Sequence, residues 1–136
     1  MHRIARLAAA TFVLAGAYIH FDLWRDGYRA IEYIGPLFVA NAAVSVLLVV
    51  ALLLRADVRV AVAGVMFSLG SLVALVLSRT TGLLGFTERG WSDMAVQAST
   101  AELGAIVALA LTMVARGRPT PALAVVRARG RRAVSV

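Results

Sequence analysis

Four polar residues stand within otherwise apolar stretches of the sequence. They are His20, Asn41, Gln97 and Glu102. An imidazole, two amides and a carboxyl together supply donors, acceptors and an acid, which is the chemistry that binds a proton, a cation or a polar small molecule. Such groups are costly inside a membrane and usually face the interior of a helix bundle. The sequence therefore predicts a polar ligand or proton site at His20, Asn41 and Glu102. Ser71 and Gln97 are expected to support it.

The spacing of three of these residues relative to arginine places them at one height. Each lies 14 residues from the arginine at one end of its apolar stretch, in the pairs Arg6–His20, Asn41–Arg55 and Glu102–Arg116. At a rise of about 1.5 Å per residue, all three groups then sit roughly 21 Å from that boundary. We therefore expect one polar layer in the outer half of a membrane, with His20 and Glu102 close together.

Small residues surround Glu102 at helical spacing. They are Ala95, Ala98, Ser99 and Ala105. Because a helix face made of small residues lets another helix approach closely in lipid, Glu102 is expected to project from a face that packs against a neighbouring helix. There it needs a proton or a cationic partner such as His20 or Arg79. The alternative for the other polar groups is structural: Asn41 and the serines would only tie helices together, and His20 would only hydrogen-bond a carbonyl.

What the sequence lacks limits the chemistry further. It contains no cysteine, which excludes disulfides, thiolate metal sites and iron–sulfur clusters. A single intramembrane histidine cannot supply both axial ligands of a haem within one chain, and one His with one Glu is too few ligands for a metal site. No Ser–His–Asp or paired-carboxylate pattern is present. We therefore expect no catalytic residues, no metal and no cofactor, and the chain is predicted not to be an enzyme.

The polar residues lie in four apolar stretches, and we expect each stretch to form a membrane-spanning helix. Hydrophobic residues make up 61% of the chain and charged residues 15%, against about 25% charged residues in a soluble domain. A bilayer core about 30 Å thick needs about 20 helical residues. The predicted spans are 5–21, 35–54, 59–78 and 93–115. The predicted fold class is all-α, a membrane-embedded antiparallel four-helix bundle over residues 1–115, followed by a basic, disordered cytoplasmic tail at 116–136.

The distribution of arginine predicts the orientation. Ten arginines fall at the two termini and in the short link between the second and third spans, and four fall in the two longer loops. By the positive-inside rule both termini are cytoplasmic, in a multi-pass protein of the cell membrane. The net charge of +7 is spread between apolar stretches, so it does not indicate a nucleic-acid partner. An alternative is that the first stretch is a signal peptide cleaved after Ala17, which would leave three spans.

A series of short motifs runs from about Ala15 to Ala115. They are His20 with Trp24, Gly27–Ile31, Ile34–Phe38, Thr81–Glu88 after Ser78, and Glu102. This series resembles a widespread type of small four-span integral membrane protein from actinobacteria, in which we would expect Gln at the position of Asn41. More weakly, the chain resembles the DoxX-like four-helix membrane proteins linked to quinone and thiol redox systems, without a motif specific to them. The resemblance implies an architecture and no mechanism.

Three functions fit these observations. The first is a non-enzymatic accessory or partner-binding subunit, whose partners are the lipid bilayer and a membrane protein or a second copy of this chain. The second is binding or transport of a proton, cation or polar small molecule or lipid through the outer-half polar layer. The third is a quinone-binding redox accessory. The first predicts a dry, closed centre, whereas the second predicts a pocket that opens outward between the helices.

Overall fold

Four long helices make up most of the chain. The structure, a computed structural model, describes residues 2–55 and 57–117. The helices are α1 (His2–Arg25), α2 (Ile34–Leu54), α3 (Val58–Arg79) and α4 (Asp93–Gly117), and a 3-10 turn at Tyr28–Ala30 precedes α2. Within the described ranges there is no strand, only an isolated bridge between Leu83 and Phe86. The prediction of an all-α, four-helix fold is confirmed.

All four helices are long and apolar enough, by length and composition, to cross a membrane. Large apolar side chains cover much of their outer surface, among them Leu47, Met66 and Val107. A soluble monomer rarely exposes a continuous apolar surface of this extent. The chain is therefore a multi-pass membrane protein.

The helix ends differ slightly from the predicted spans. The first helix continues to Arg25, so that residues 22–25, which lie beyond the predicted span 5–21, are helical. Before α3, Asp57 caps the helix by accepting a 2.9 Å hydrogen bond from the backbone N–H of Arg59. Of the predicted tail at 116–136, the first two residues end α4, and the rest lies outside the described residues.

The helices stand in the order α2, α1, α4, α3 around the bundle. α1 packs extensively against both α4 and α2, and α3 packs against α4. By contrast, α2 and α3 touch each other little, although the shortest link in the chain joins them. The ring of helices is therefore loose on one side, between α2 and α3.

Small residues hold the tight side together. The buried face of α4 carries Ala98, Ala101, Ala105 and Ala108. At Gly104 an added Cβ would lie 2.5 Å from the Phe12 ring, and at Gly64 it would lie 2.9 Å from the Leu109 side chain. Since lipid offers helices little hydrophobic drive to associate, close packing of this kind supplies much of the attraction. It holds α1, α3 and α4 together and leaves α2 anchored mainly through α1.

Candidate functional site

A cavity of about 400 Å³ lies between α2 and α3. It occupies the end of the bundle that carries the segments 26–33 and 80–92, which we call the loop end. Apolar walls come from all four helices and from the loops, and include Leu23, Leu37, Phe38, Phe67, Leu75 and Phe86. Its polar lining consists of His20, Asn41, Ser71, Ser78, Ser92, Tyr28, Arg79 and Glu88. An apolar cavity with a few convergent polar groups is the usual form of a small-molecule site.

A chain of hydrogen bonds crosses the inner part of this pocket and links three helices. The Ser45 hydroxyl donates to Asn41 Oδ1 at 3.4 Å, and Asn41 Nδ2 donates to Ser71 Oγ at 3.0 Å. Ser71 Oγ lies 3.5 Å from His20 Nε2, and His20 Nδ1 lies 2.8 Å from the Gly16 carbonyl. We call Ser45, Asn41, Ser71 and His20 the polar chain. It joins α2 to α3 and α3 to α1.

The hydrogen-bond partners of His20 determine which of its two ring nitrogens carries the hydrogen. A carbonyl oxygen can only accept, so Nδ1 must carry hydrogen to bond to Gly16. In the neutral imidazole, Nε2 is then an acceptor. Ser71 already accepts from Asn41, which leaves its own hydroxyl hydrogen free to point at Nε2. At 3.5 Å that contact is long for an O–H···N bond, and the acceptor is only weakly satisfied.

Three side chains close the pocket at the loop end, and we call them the outer cap: Tyr28, Arg79 and Glu88. Arg79 forms a 2.9 Å ion pair with Glu88 Oε2, and the Tyr28 hydroxyl donates to the same oxygen at 2.7 Å. Arg79 also donates to the Gly90 carbonyl, and its guanidinium lies 5.9 Å from the centre of the Trp91 ring. With a side chain only 7% exposed, Arg79 is a buried cation whose charge is matched within the cap.

The surroundings of Tyr28 disfavour its ionised form. Burial raises the pKa of the Tyr28 phenol to about 12 from its ordinary 10.0, and the hydrogen bond and negative charge of Glu88 add to the effect. The nearby Arg79 charge acts in the opposite direction and does not offset it. Tyr28 is therefore a hydrogen-bond donor in the cap throughout the neutral pH range.

Two glycines let the loops fold over the pocket. An added Cβ at Gly35 would lie 2.8 Å from the Arg29 carbonyl oxygen, so only glycine lets the 3-10 turn rest on the first turn of α2. That turn stacks the Tyr28 ring on Phe38, with ring centres 4.9 Å apart. In the other loop, Gly82 has a φ of +93°, in the region that favours glycine.

The structure brings together three of the five predicted site residues: His20, Asn41 and Ser71. Glu102 is buried, at 6% exposure, but it lies between α1 and α4 and does not line the pocket. Its Oε1 is 3.6 Å from the position of a Cβ on Gly16, one helical turn before His20. Gln97 is exposed on the outer surface of α4.

The expected single layer is therefore shifted by about one turn, or roughly 5 Å, at Glu102. No hydrogen bond or ion pair joins Glu102 to His20 in the described part of the chain, and Arg79, a second partner that we considered for Glu102, pairs with Glu88. Counting residues from arginine treats all helices as parallel and starting at equal depth, whereas the packing of α1 on α4 sets their real offset.

The sequence analysis did not identify the outer cap as part of the site. Tyr28 and Glu88 both lie in the motifs quoted for the family resemblance, which was a signal for them. Nothing in the local pattern, however, indicates that Glu88 turns back to Arg79, because the intervening turn depends on several glycine conformations and on a backbone bond from Glu88 N–H to the Ser78 carbonyl.

The arrangement is suited to hydrogen bonding of an uncharged polar group. Among residues 2–55 and 57–117, no three His, Asp or Glu side chains come together as ligands for a metal ion.

Comparison of the chain with family models, with curated proteins and with solved structures gives no match. The family resemblance therefore stays a prediction, and the function has to be argued from the pocket.

Proposed function

We propose that this protein is a membrane-embedded binding protein, which takes an apolar molecule with an uncharged polar group into the pocket between α2 and α3. The observation that supports this function is the pocket itself, with apolar walls and the polar chain at its inner part. A bundle with only a packing role would gain by closing α2 onto α3. Here that contact is the loosest between sequential helices, so the gap favours ligand binding over an accessory role with a closed centre.

The pocket opens sideways, toward lipid. Lining residues on the edges of α2 and α3 are exposed, namely Leu37, Val44 and Met66. At the loop end, Tyr28 and Glu88 of the outer cap are partly buried and bonded to each other. A ligand thus has an apolar route from the bilayer between two helices, whereas the route from water passes through an ion pair.

The charges of the pocket favour an uncharged ligand. Arg79 and Glu88 neutralise each other, and the other polar lining groups are an imidazole, an amide and hydroxyls. Binding an ion would leave its charge poorly compensated in an apolar site, which is costly. With ten arginines on one side and four on the other, the loop end faces outward in the cell membrane, so the ligand comes from the outer leaflet.

A pocket-filling substitution tests this function. Gly70 lines the pocket, and an added Cβ there meets nothing within 4 Å, so the backbone tolerates a side chain at this position and Gly70→Phe should place a ring in the opening. Ala63→Phe is the matched control, because Ala63 is exposed on the same helix and does not line the pocket.

The measurement is native mass spectrometry of the protein extracted from membranes in mild detergent. Wild type and Ala63→Phe should carry a bound apolar molecule that Gly70→Phe has lost. If all three proteins carry the same bound molecules, or none, the pocket is not a binding site and the proposal fails.

A further inference from the structure

We infer that the polar group of the bound molecule is a hydroxyl, which donates to His20 Nε2. This inference rests on the proposed binding function and adds the ligand's chemistry to it. It depends on the direction of each hydrogen bond in the polar chain.

His20 Nε2 is a weakly satisfied acceptor in the pocket. Since Nδ1–H of His20 is committed to the Gly16 carbonyl, Nε2 of the neutral ring can only accept. The Ser71 hydroxyl approaches it only to 3.5 Å. A partly buried acceptor with so long a contact gains from a better donor, because a weakly bonded polar group in an apolar site is costly.

Asn41 offers an unused donor near His20. Asn41 has two amide hydrogens, and one of them is used on Ser71. No acceptor among the described residues takes the other. The pocket thus presents one acceptor, on His20, near one donor, on Asn41. A hydroxyl matches both, because it donates one hydrogen and accepts at its oxygen.

Several other polar groups do not match this donor and acceptor. A carbonyl or an ether can accept from Asn41 but leaves His20 Nε2 without a new donor. A phosphate or carboxylate would need a free cation, and the one cation that lines the pocket, Arg79, is already paired with Glu88 in the described structure. A hydroxyl satisfies this site without leaving a charge or an acceptor unmet, and it does so with a single atom that both donates and accepts.

Two sources of such a hydroxyl exist in a membrane, an aliphatic lipid alcohol and a phenolic quinol. For each source, the binding of the hydroxyl compound can be compared with the binding of its methyl ether. The probes are 1,2-dioctanoylglycerol with its 3-O-methyl ether, and decylhydroquinone with its dimethyl ether. Dioctanoyl phosphatidic acid serves as an anionic probe. Binding to the purified full-length protein is measured by native mass spectrometry over a concentration series.

We expect at least one alcohol to bind roughly tenfold more tightly than its ether, as one good hydrogen bond allows. The alcohol that shows this preference identifies the source. His20→Phe keeps the ring that contacts Phe38 but removes the acceptor, so it should abolish the preference while the ether still binds. Ser71→Ala removes the protein hydroxyl that approaches Nε2 and should widen the preference beyond that of wild type. It provides a second measurement if His20→Phe does not fold, and a preference no larger than that of wild type would contradict the inference.

The outcomes separate this inference from the function on which it rests. If alcohols and ethers bind equally, and Gly70→Phe weakens both, then the pocket binds ligands but the hydroxyl inference is wrong. Tighter binding of phosphatidic acid than of dioctanoylglycerol would also overturn it. If no probe binds to wild type any better than to Gly70→Phe, both the hydroxyl inference and the binding function fail.

Discussion

Asn41 on α2 donates a 3.0 Å hydrogen bond to Ser71 on α3, between two sequential helices that otherwise contact each other little. Across the loose side of the bundle, this bond connects α2 to α3 at the inner part of the pocket. It therefore helps to set the width of the gap through which we propose that a ligand enters. A substitution of either residue should therefore affect both the stability of the protein and the binding of the ligand.

The first prediction concerns this bond. In a double-mutant cycle, Asn41→Ala and Ser71→Ala should be non-additive, with a coupling free energy of about 0.6 kcal/mol, as is typical of interhelical hydrogen bonds in membranes. The free energy of unfolding is measured by denaturant titration in detergent. The control cycle pairs Asn41→Ala with Ser68→Ala, since Ser68 is buried on the same helix and makes no bond to Asn41. Equal coupling in the two cycles would contradict the prediction.

The second prediction concerns the pH dependence of the outer cap. Because the folded protein holds the Tyr28 proton more tightly than the unfolded chain, its contribution to stability is full below pH 10 and is lost as the pH rises toward about 12. Glu88→Gln removes the negative charge beside the phenol and should lower the pKa of Tyr28 toward 10.

Ultraviolet titration of tyrosinate measures this pKa, with the Tyr28→Phe protein subtracted to remove the other tyrosines. A Tyr28 pKa that is unchanged or higher in Glu88→Gln would show that Glu88 does not act on the phenol. Tyr33→Phe is the control, because Tyr33 is exposed and its loss should leave the high-pH transition in place.

The third prediction compares two helical glycines. Gly35→Ala places a Cβ 2.8 Å from a backbone carbonyl oxygen, and it should destabilise the protein by about 1–3 kcal/mol because backbone has to move. Gly70→Ala enters open space and should be neutral or stabilising by up to about 1 kcal/mol. Thermal unfolding in detergent measures both, and a Gly35→Ala protein as stable as wild type would mean that the 3-10 turn does not rest on α2.

The fourth prediction concerns orientation. The chain has no cysteine, so single cysteines report topology without background. Cysteines at Arg29 and Arg89, both exposed at the loop end, should react with an impermeant thiol reagent in intact cells. A cysteine at Asp57, in the link at the opposite end, should react only after the cells are opened. Labelling of Asp57→Cys alone in intact cells would reverse the proposed orientation.

Local sequence patterns were enough to predict the four helices. Helical periodicity also fixes which residues of one helix share a face, as Phe38, Asn41 and Ser45 do on α2. The sequence patterns also marked His20, Asn41 and Ser71, since polar side chains are rare in apolar spans.

Only the tertiary structure determined which of these residues meet. The height and rotation of one helix against another depend on how small residues such as Ala105 and Gly104 let α1 and α4 approach, and this puts Glu102 beside Gly16 and out of the pocket. Contacts between distant segments also determine that Gln97 is exposed and that Arg79 pairs with Glu88. The periodicity of a single helix does not predict such contacts.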